Sequence, residues 1–230
     1  MSTFMQNSAY AGVTISLISY GIGAWLKKKT GLGFFNPLLV SIIITILFLL
    51  GANIDYETYN KGAQYLTWLL TPSTVCLAIP LYEEWELLKK NSKAVVLGIT
   101  AGVLTSLLTV FVLAKLMGLS HANYVTLLPK SITTAIGMGV SEELGGYVTI
   151  TVAVIVITGV VGNILGEIIL KIFRIHEPIS KGLALGTAAH AIGTAKAIEL
   201  GEVEGAMSSL SIAVAGILTV IFASVFASFI

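Results

Sequence analysis

The chain has 230 residues, of which 56% are hydrophobic and 11% charged, and its mean hydropathy is +0.93. Soluble domains carry about 25% charged residues, so no single core could hide this much apolar surface and the chain reads as an integral membrane protein. A formal charge of +1 leaves no basic face for nucleic acid, and the composition excludes disorder, a collagen-like repeat and a disulfide scaffold.

Apolar stretches run at 9–26, 37–52, 62–82, 94–117, 127–145, 147–173, 182–200 and 205–230. At about 20 residues per crossing they fill the chain and leave no room for an extramembrane catalytic domain. Met1–Ser8 carries no positive charge, and the first stretch ends in Lys27–Lys29 instead of a small-residue cleavage site, so no cleavable signal peptide is expected. The second opens at Asn36-Pro37, with proline where a helix tolerates it. Pro72 and Pro80 break the third. Cys76, the one cysteine, reads as a small apolar side chain inside a helix and excludes a CxxC-type metal site.

Nine of the thirteen basic residues are Lys27, Lys28, Lys29, Lys89, Lys90, Lys93, Lys171, Arg174 and Lys181. Placing all nine in the cytoplasm puts the N-terminus outside, provided that 127–145 dips in and returns on the same side. The C-terminus then also lies outside.

The segment Ser131–Gly145 can be laid over Thr187–Gly201 without a gap, at an offset of 56 residues. Ala135/Ala191, Ile136/Ile192, Gly137/Gly193, Glu143/Glu199, Leu144/Leu200 and Gly145/Gly201 are identical. Each copy precedes a long apolar helix, a device common in secondary transporters. The expected fold is an all-α integral membrane protein of about six full spans plus two glycine-broken re-entrant or discontinuous segments in an inverted repeat. It forms one transmembrane domain over 1–230, with N-terminal helices over 1–126 (including the Pro-broken 62–82), repeat one over 127–173 and repeat two over 182–230.

The repeated segments are poor membrane helices taken alone. Residues 131–216 hold 13 of the 23 glycines, and a Lys near the bilayer centre costs about 2.5–3.5 kcal/mol on insertion scales. Irregular backbone at that depth survives only when buried in protein or lining a polar cavity. Pro129 stops the preceding helix, Ser131 is a plausible N-cap, and Thr133 and Thr134 follow. The exposed N–H groups of that helix start and the Lys130 charge suit an anion, although Lys130 could instead snorkel to the interface. In the second copy, after Gly186, Thr187, His190 and Thr194 fall on one face of a continuous helix. Lys196 joins them only if the helix breaks near Gly193; otherwise it pairs with Glu199. His190 could bind substrate, relay protons (a role open to Glu143 as well) or sit in the core as a satisfied histidine. Gly137 and Gly186 read with Pro129 as structural breaks. Glu167 and Lys171 read as a structural pair. No paired carboxylates, metal-spaced His/Cys set or nucleophile elbow occurs, which argues against an enzyme and implies no cofactor.

The chain resembles the LrgB/CidB family along its whole length. Asn36-Pro37-Leu38, Leu70-Thr71-Pro72, Ala78–Tyr82, Leu128–Thr134 and Gly186–Ala197 running on through Glu199–Ala206 carry the resemblance. It implies a multi-pass protein of the bacterial cell membrane and two functional pictures. In one, the protein acts with a small holin-like LrgA/CidA partner as an antiholin-like regulator of murein hydrolase export and lysis. In the other, suggested by a plastid glycolate/glycerate transporter and by pyruvate uptake in bacteria, it carries a small monocarboxylate. The broken, lysine-bearing repeat suits the second, with Lys130, Ser131, Thr133, Thr134, Thr187, His190, Gly193, Thr194 and Lys196 as substrate-binding candidates. A homo-oligomer, most simply a dimer, would thicken the wall around so small a transport unit.

Overall fold

The computed structural model describes residues 10–31 and 35–230. The described structure is helical, as expected, and the chain folds as two compact units, 1–76 and 77–230.

The first unit holds α1 (Ala11–Thr30), α2 (Pro37–Gly51), α3 (Tyr56–Trp68) and α4 (Leu70–Cys76). Asn36 caps α2 by accepting from the Leu38 and Leu39 N–H groups at 2.9 and 3.1 Å, and Pro37 takes the first helical position, as the sequence suggests. Asp55 caps α3 through the Thr58 N–H at 2.8 Å; the same bond holds its carboxyl below the ordinary value. α1 and α3 touch backbone to backbone, since a Cβ on Gly12 would lie 2.5 Å from the Ala63 nitrogen. Ser16 and the Tyr59 hydroxyl join at 2.7 Å beside that contact.

Proline sets the next boundaries. Pro72 and Pro80 stand at the third residues of α4 and of α5 (Ala78–Glu83). A proline ring clashes with the carbonyl four residues back; those residues are Trp68, the end of α3, and Cys76, the end of α4. Cys76 lies in a helix, as the sequence suggests, and is exposed there.

The second unit begins with α5 and α6 (Trp85–Lys90) and continues with α7 (Ser92–Met117). α7 buries Val95, Ile99, Val103, Leu107, Val110 and Ala114, the three- and four-residue spacing of one helical face. Gly118, at φ 64°, ends it. α8 (His121–Leu127) then runs back alongside, a turn follows, and α9 (Thr134–Glu143) returns. The two ends of this helical hairpin are tied together. The His121 ring lies 3.3 Å from the Leu144 carbonyl oxygen, and the Tyr147 N–H donates to Thr126 Oγ1 at 2.8 Å. Its tip reaches Ser106 through Ser131, eleven residues back from the end of α7, or about 16 Å along the axis. Segment 119–147 thus enters and leaves at one end of α7.

α10 (Val148–Ile172) runs to the other end, where α11 (Pro178–Leu200) begins. α11 is broken at Ala189 (φ −136°, ψ 19°) and His190 (φ 41°, ψ −137°). Its arms double back: a Cβ on Gly193 would strike the Leu185 carbonyl oxygen, whereas eight residues of straight helix span about 12 Å. The first arm runs parallel to α12 (Glu202–Ala227), Gly182 facing Glu204 and Gly186 facing Ser208. The second arm runs antiparallel to it, with Thr194 against Ser208 and Ile198 against Gly205. Lys181 and Glu204, 3.4 Å apart, hold the mouth of this second hairpin.

Each repeat is therefore a helical hairpin followed by a long helix. The hairpins enter from opposite ends of α7, and α10 and α12 run in opposite directions, so the repeat is inverted. Among the described residues, α7, α10 and α12 are long and apolar enough to cross a membrane, and α2 is a shorter apolar helix of 15 residues.

Candidate functional site

The two hairpin tips meet beside the middle of α7. A Cβ on Gly98 would lie 3.0 Å from Leu183 Cδ1, and one on Gly102 would lie 2.9 Å from Thr187 Oγ1. These two contacts, four residues apart on each helix, set α7 and the first arm of α11 side by side and parallel. Between them lies a cleft of about 580 Å³, with Lys130 and Ser131 of the first hairpin tip at one end.

That end is polar. The Lys130 ammonium donates to Ser131 Oγ at 2.8 Å, and Ser131 Oγ lies 3.1 Å from Ser106 Oγ. Among the described residues no carboxylate pairs with Lys130. Thr105, Ser106 and Thr109 of α7 add hydroxyls to the same stretch of wall. The Thr109 hydroxyl is spent on the Thr105 carbonyl at 2.7 Å, and the Thr187 hydroxyl on the Leu183 carbonyl at 2.7 Å. Lys130, Ser131, Ser106 and Thr105 are then the groups at this end with donors to offer an anion. Among the described residues that line the cleft, Lys130 carries the one charge.

The structure thus brings Lys130, Ser131 and Thr187 together, and separates them from the other candidates. Thr133, not Ser131, is the N-cap of α9, because the turn after Pro129 continues through Ile132 before helical geometry starts. Thr133 makes no side-chain capping bond, and Thr134 opens the helix behind the tip. Gly137 packs against Ile155 of α10, and Gly186 against the Ser208 carbonyl, 2.5 Å from where its Cβ would be. Both are close-packing positions away from the cleft.

The second tip also departs from its reading as one continuous face. The break falls at Ala189–His190 instead of Gly193, so Thr187 and Thr194 sit on opposite arms. Thr194 Oγ1 donates to the His190 carbonyl at 3.0 Å and meets Ser208 Oγ at 2.7 Å. His190 is buried, and its Nε2 donates to the Ile155 carbonyl at 3.0 Å. Lys196 is held by Glu167 at 2.9 Å and by Glu199 at 3.3 Å, and Lys171 joins Glu167 at 2.8 Å. This four-charge cluster ties α10 to the second arm and does not line the cleft. Glu143 is exposed at the end of α9, near the mouth of one hairpin, and His190 is at the tip of the other.

Sequence reasoning missed the α7 wall. Gly98 and Gly102, followed by Thr105, Ser106 and Thr109, lie on one side of an otherwise aliphatic helix. That small and hydroxylated stripe, beside the Val/Ile/Leu face, was the available signal.

The LrgB-like family model matches residues 16–229. The chain is 42% identical over 222 residues to the "Antiholin-like protein LrgB" of Bacillus cereus (strain B4264), an alignment covering 96% of each chain. The protein of the same name from Bacillus anthracis (strain CDC 684 / NRRL 3495) gives the same identity and coverage. No solved structure matches the chain.

Proposed function

This chain belongs to the LrgB-like family, and from that premise we propose that it binds a small monocarboxylate in the cleft at its hairpin tips and carries it across the membrane. The observation that carries this reading is the Lys130 ammonium, set against Ser131 at the tip of a re-entrant hairpin with no carboxylate partner among the described residues. A charge at membrane depth is costly unless something compensates it, and a bound carboxylate would. Ser131 and Ser106 would donate to its oxygens, and Thr187 would form the facing wall. An inverted repeat whose hairpins converge on one site suits alternating access, in which one repeat rocks against the other. Pyruvate, glycolate and lactate are of the expected size, and a second copy of the chain is the expected partner.

A second reading has the names of the relatives behind it more directly than the first has. As an antiholin-like protein, the chain would regulate murein hydrolase export and lysis through a small LrgA/CidA-like membrane partner. Such a regulator needs lipid-facing contact surfaces and tolerates change at Lys130.

Uptake of labelled pyruvate and glycolate into liposomes holding the purified chain separates the two. Saturable uptake lost in Lys130→Ala supports the carrier. Unchanged uptake in that variant would take Lys130 out of the site, and no uptake with or without the small partner supports the regulator.

A further inference from the structure

The cleft has two chemically different ends. At the tip of the first hairpin it offers the Lys130 charge with Ser106 and Ser131 hydroxyls; further along α7 its walls are Ala94, Gly98, Ala101, Ile179, Leu183 and Ala184. From Ser106 to Ala94 is twelve residues, about 18 Å of helix. No charged side chain lines that second stretch among the described residues, and Ser180 is its one hydroxyl. Thr187, between the two ends, turns its hydroxyl proton to the Leu183 carbonyl and away from the cleft. A three-carbon acid held by Lys130 would leave the apolar stretch empty.

We propose that the cleft selects monocarboxylates with an aliphatic tail, the carboxylate on Lys130, Ser131 and Ser106 and the tail along Ala101, Gly98 and Leu183. The inference rests on the carboxylate-binding reading above and names the substrate class within it. Tail selectivity follows from burial: each methylene removed from water gains about fourfold in affinity. A second carboxylate along the apolar stretch would displace an aliphatic tail and meet no cation among the described lining residues, so dicarboxylates bind more weakly. The small residues of α7 make this possible. Gly98 keeps α7 close to Leu183 while the cleft beside it stays open.

The test is a binding series on the purified full-length chain in nanodiscs, with acetate, propanoate, butanoate and hexanoate as ligands. Succinate serves as the four-carbon diacid and 1-hexanol as the uncharged tail. The expected result is a Kd that falls about fourfold per methylene, with succinate at least tenfold weaker than butanoate and hexanol far weaker than hexanoate. Ala101→Leu, which fills the apolar end, should flatten the dependence on chain length. A Kd that does not change with chain length, or succinate equal to butanoate, overturns the tail proposal while leaving the carboxylate site standing. Hexanol binding as tightly as hexanoate overturns it in favour of a groove for lipid tails. If no acid binds in a manner that Lys130→Met abolishes, the underlying reading fails, and the proposal with it; thermal unfolding of Lys130→Met checks that the variant is folded.

Discussion

Ile136 packs against Gly216 and, 56 residues on, Ile192 packs against Gly159: the isoleucine of each hairpin lies on a glycine in the long helix of the other repeat. In both pairs the isoleucine Cδ1 is 2.8 Å from where the glycine's Cβ would be. Such reciprocity is what an approximate two-fold axis produces, and it relates in space the repeats that Ile136/Ile192 and the other identities pair along the chain. The two glycines are not equivalent in cost, however. A Cβ on Gly216 meets only the flexible end of Ile136, whereas one on Gly159 also meets the His190 ring at 2.8 Å. Gly159→Ala should therefore destabilise by about 1–3 kcal/mol and Gly216→Ala by less. Thermal unfolding of the two variants in one detergent reads the difference, and equal melting temperatures would contradict it.

Ser106 is expected to matter to the site although it lies on a plain apolar helix. Removing its hydroxyl in Ser106→Ala takes away one hydrogen bond, worth about 1 kcal/mol, or about fivefold in carboxylate affinity. Equilibrium binding of butanoate measures it. Affinity unchanged within twofold would take Ser106 out of the site.

His190 holds φ at 41° with ψ at −137°, a conformation that glycine adopts freely and alanine does not. Both His190→Ala and His190→Gly lose the bond to Ile155, so their difference isolates the backbone. The glycine variant should be more stable than the alanine variant by about 1 kcal/mol. The reverse order would mean that the break is absent in the folded protein. If His190 also relays protons, uptake should depend on pH in the wild type and not in His190→Gly, and identical profiles would remove that role.

Lys196 should be a stability residue. Lys196→Ala breaks two ion pairs, one of them to Glu167 at 2.9 Å, and for a half-buried pair the cost is about 1 kcal/mol. Carboxylate affinity should stay within twofold of the wild type. A tenfold loss of affinity with an unchanged melting temperature would place the side chain at the site after all.

Much of this was legible in the sequence, for identifiable reasons. Two glycine-rich segments that matched without a gap pointed to the inverted repeat, and a basic cluster at either end of the 94–173 region required an element that turns back. Lys130 stood out because charge is scarce in so apolar a chain. The tip geometry was not legible. A glycine reads as the natural breaking point, so Gly193 drew attention away from Ala189–His190, where packing against Ile155 and Gly159 imposes the turn. Of the two partners of Lys196, Glu199 was legible at three residues' spacing, whereas Glu167 lies 29 residues back on α10, and pairing across a helix seam has no local signature. Ser106 was hidden for the same reason: its importance comes from Ser131, which only the folded hairpin brings within 3.1 Å.

Each hairpin is fastened at its mouth, one by His121 with Leu144, the other by Lys181 with Glu204. An arm of ten residues is about 15 Å long. Anchored at one end, it behaves as a lever whose fulcrum is the mouth: tilting it by about 5° swings the tip by about 1.3 Å, enough to part Ser131 from Ser106. The contact that decides how far the first tip can swing therefore lies a full arm's length from Ser131, at the rim of that hairpin.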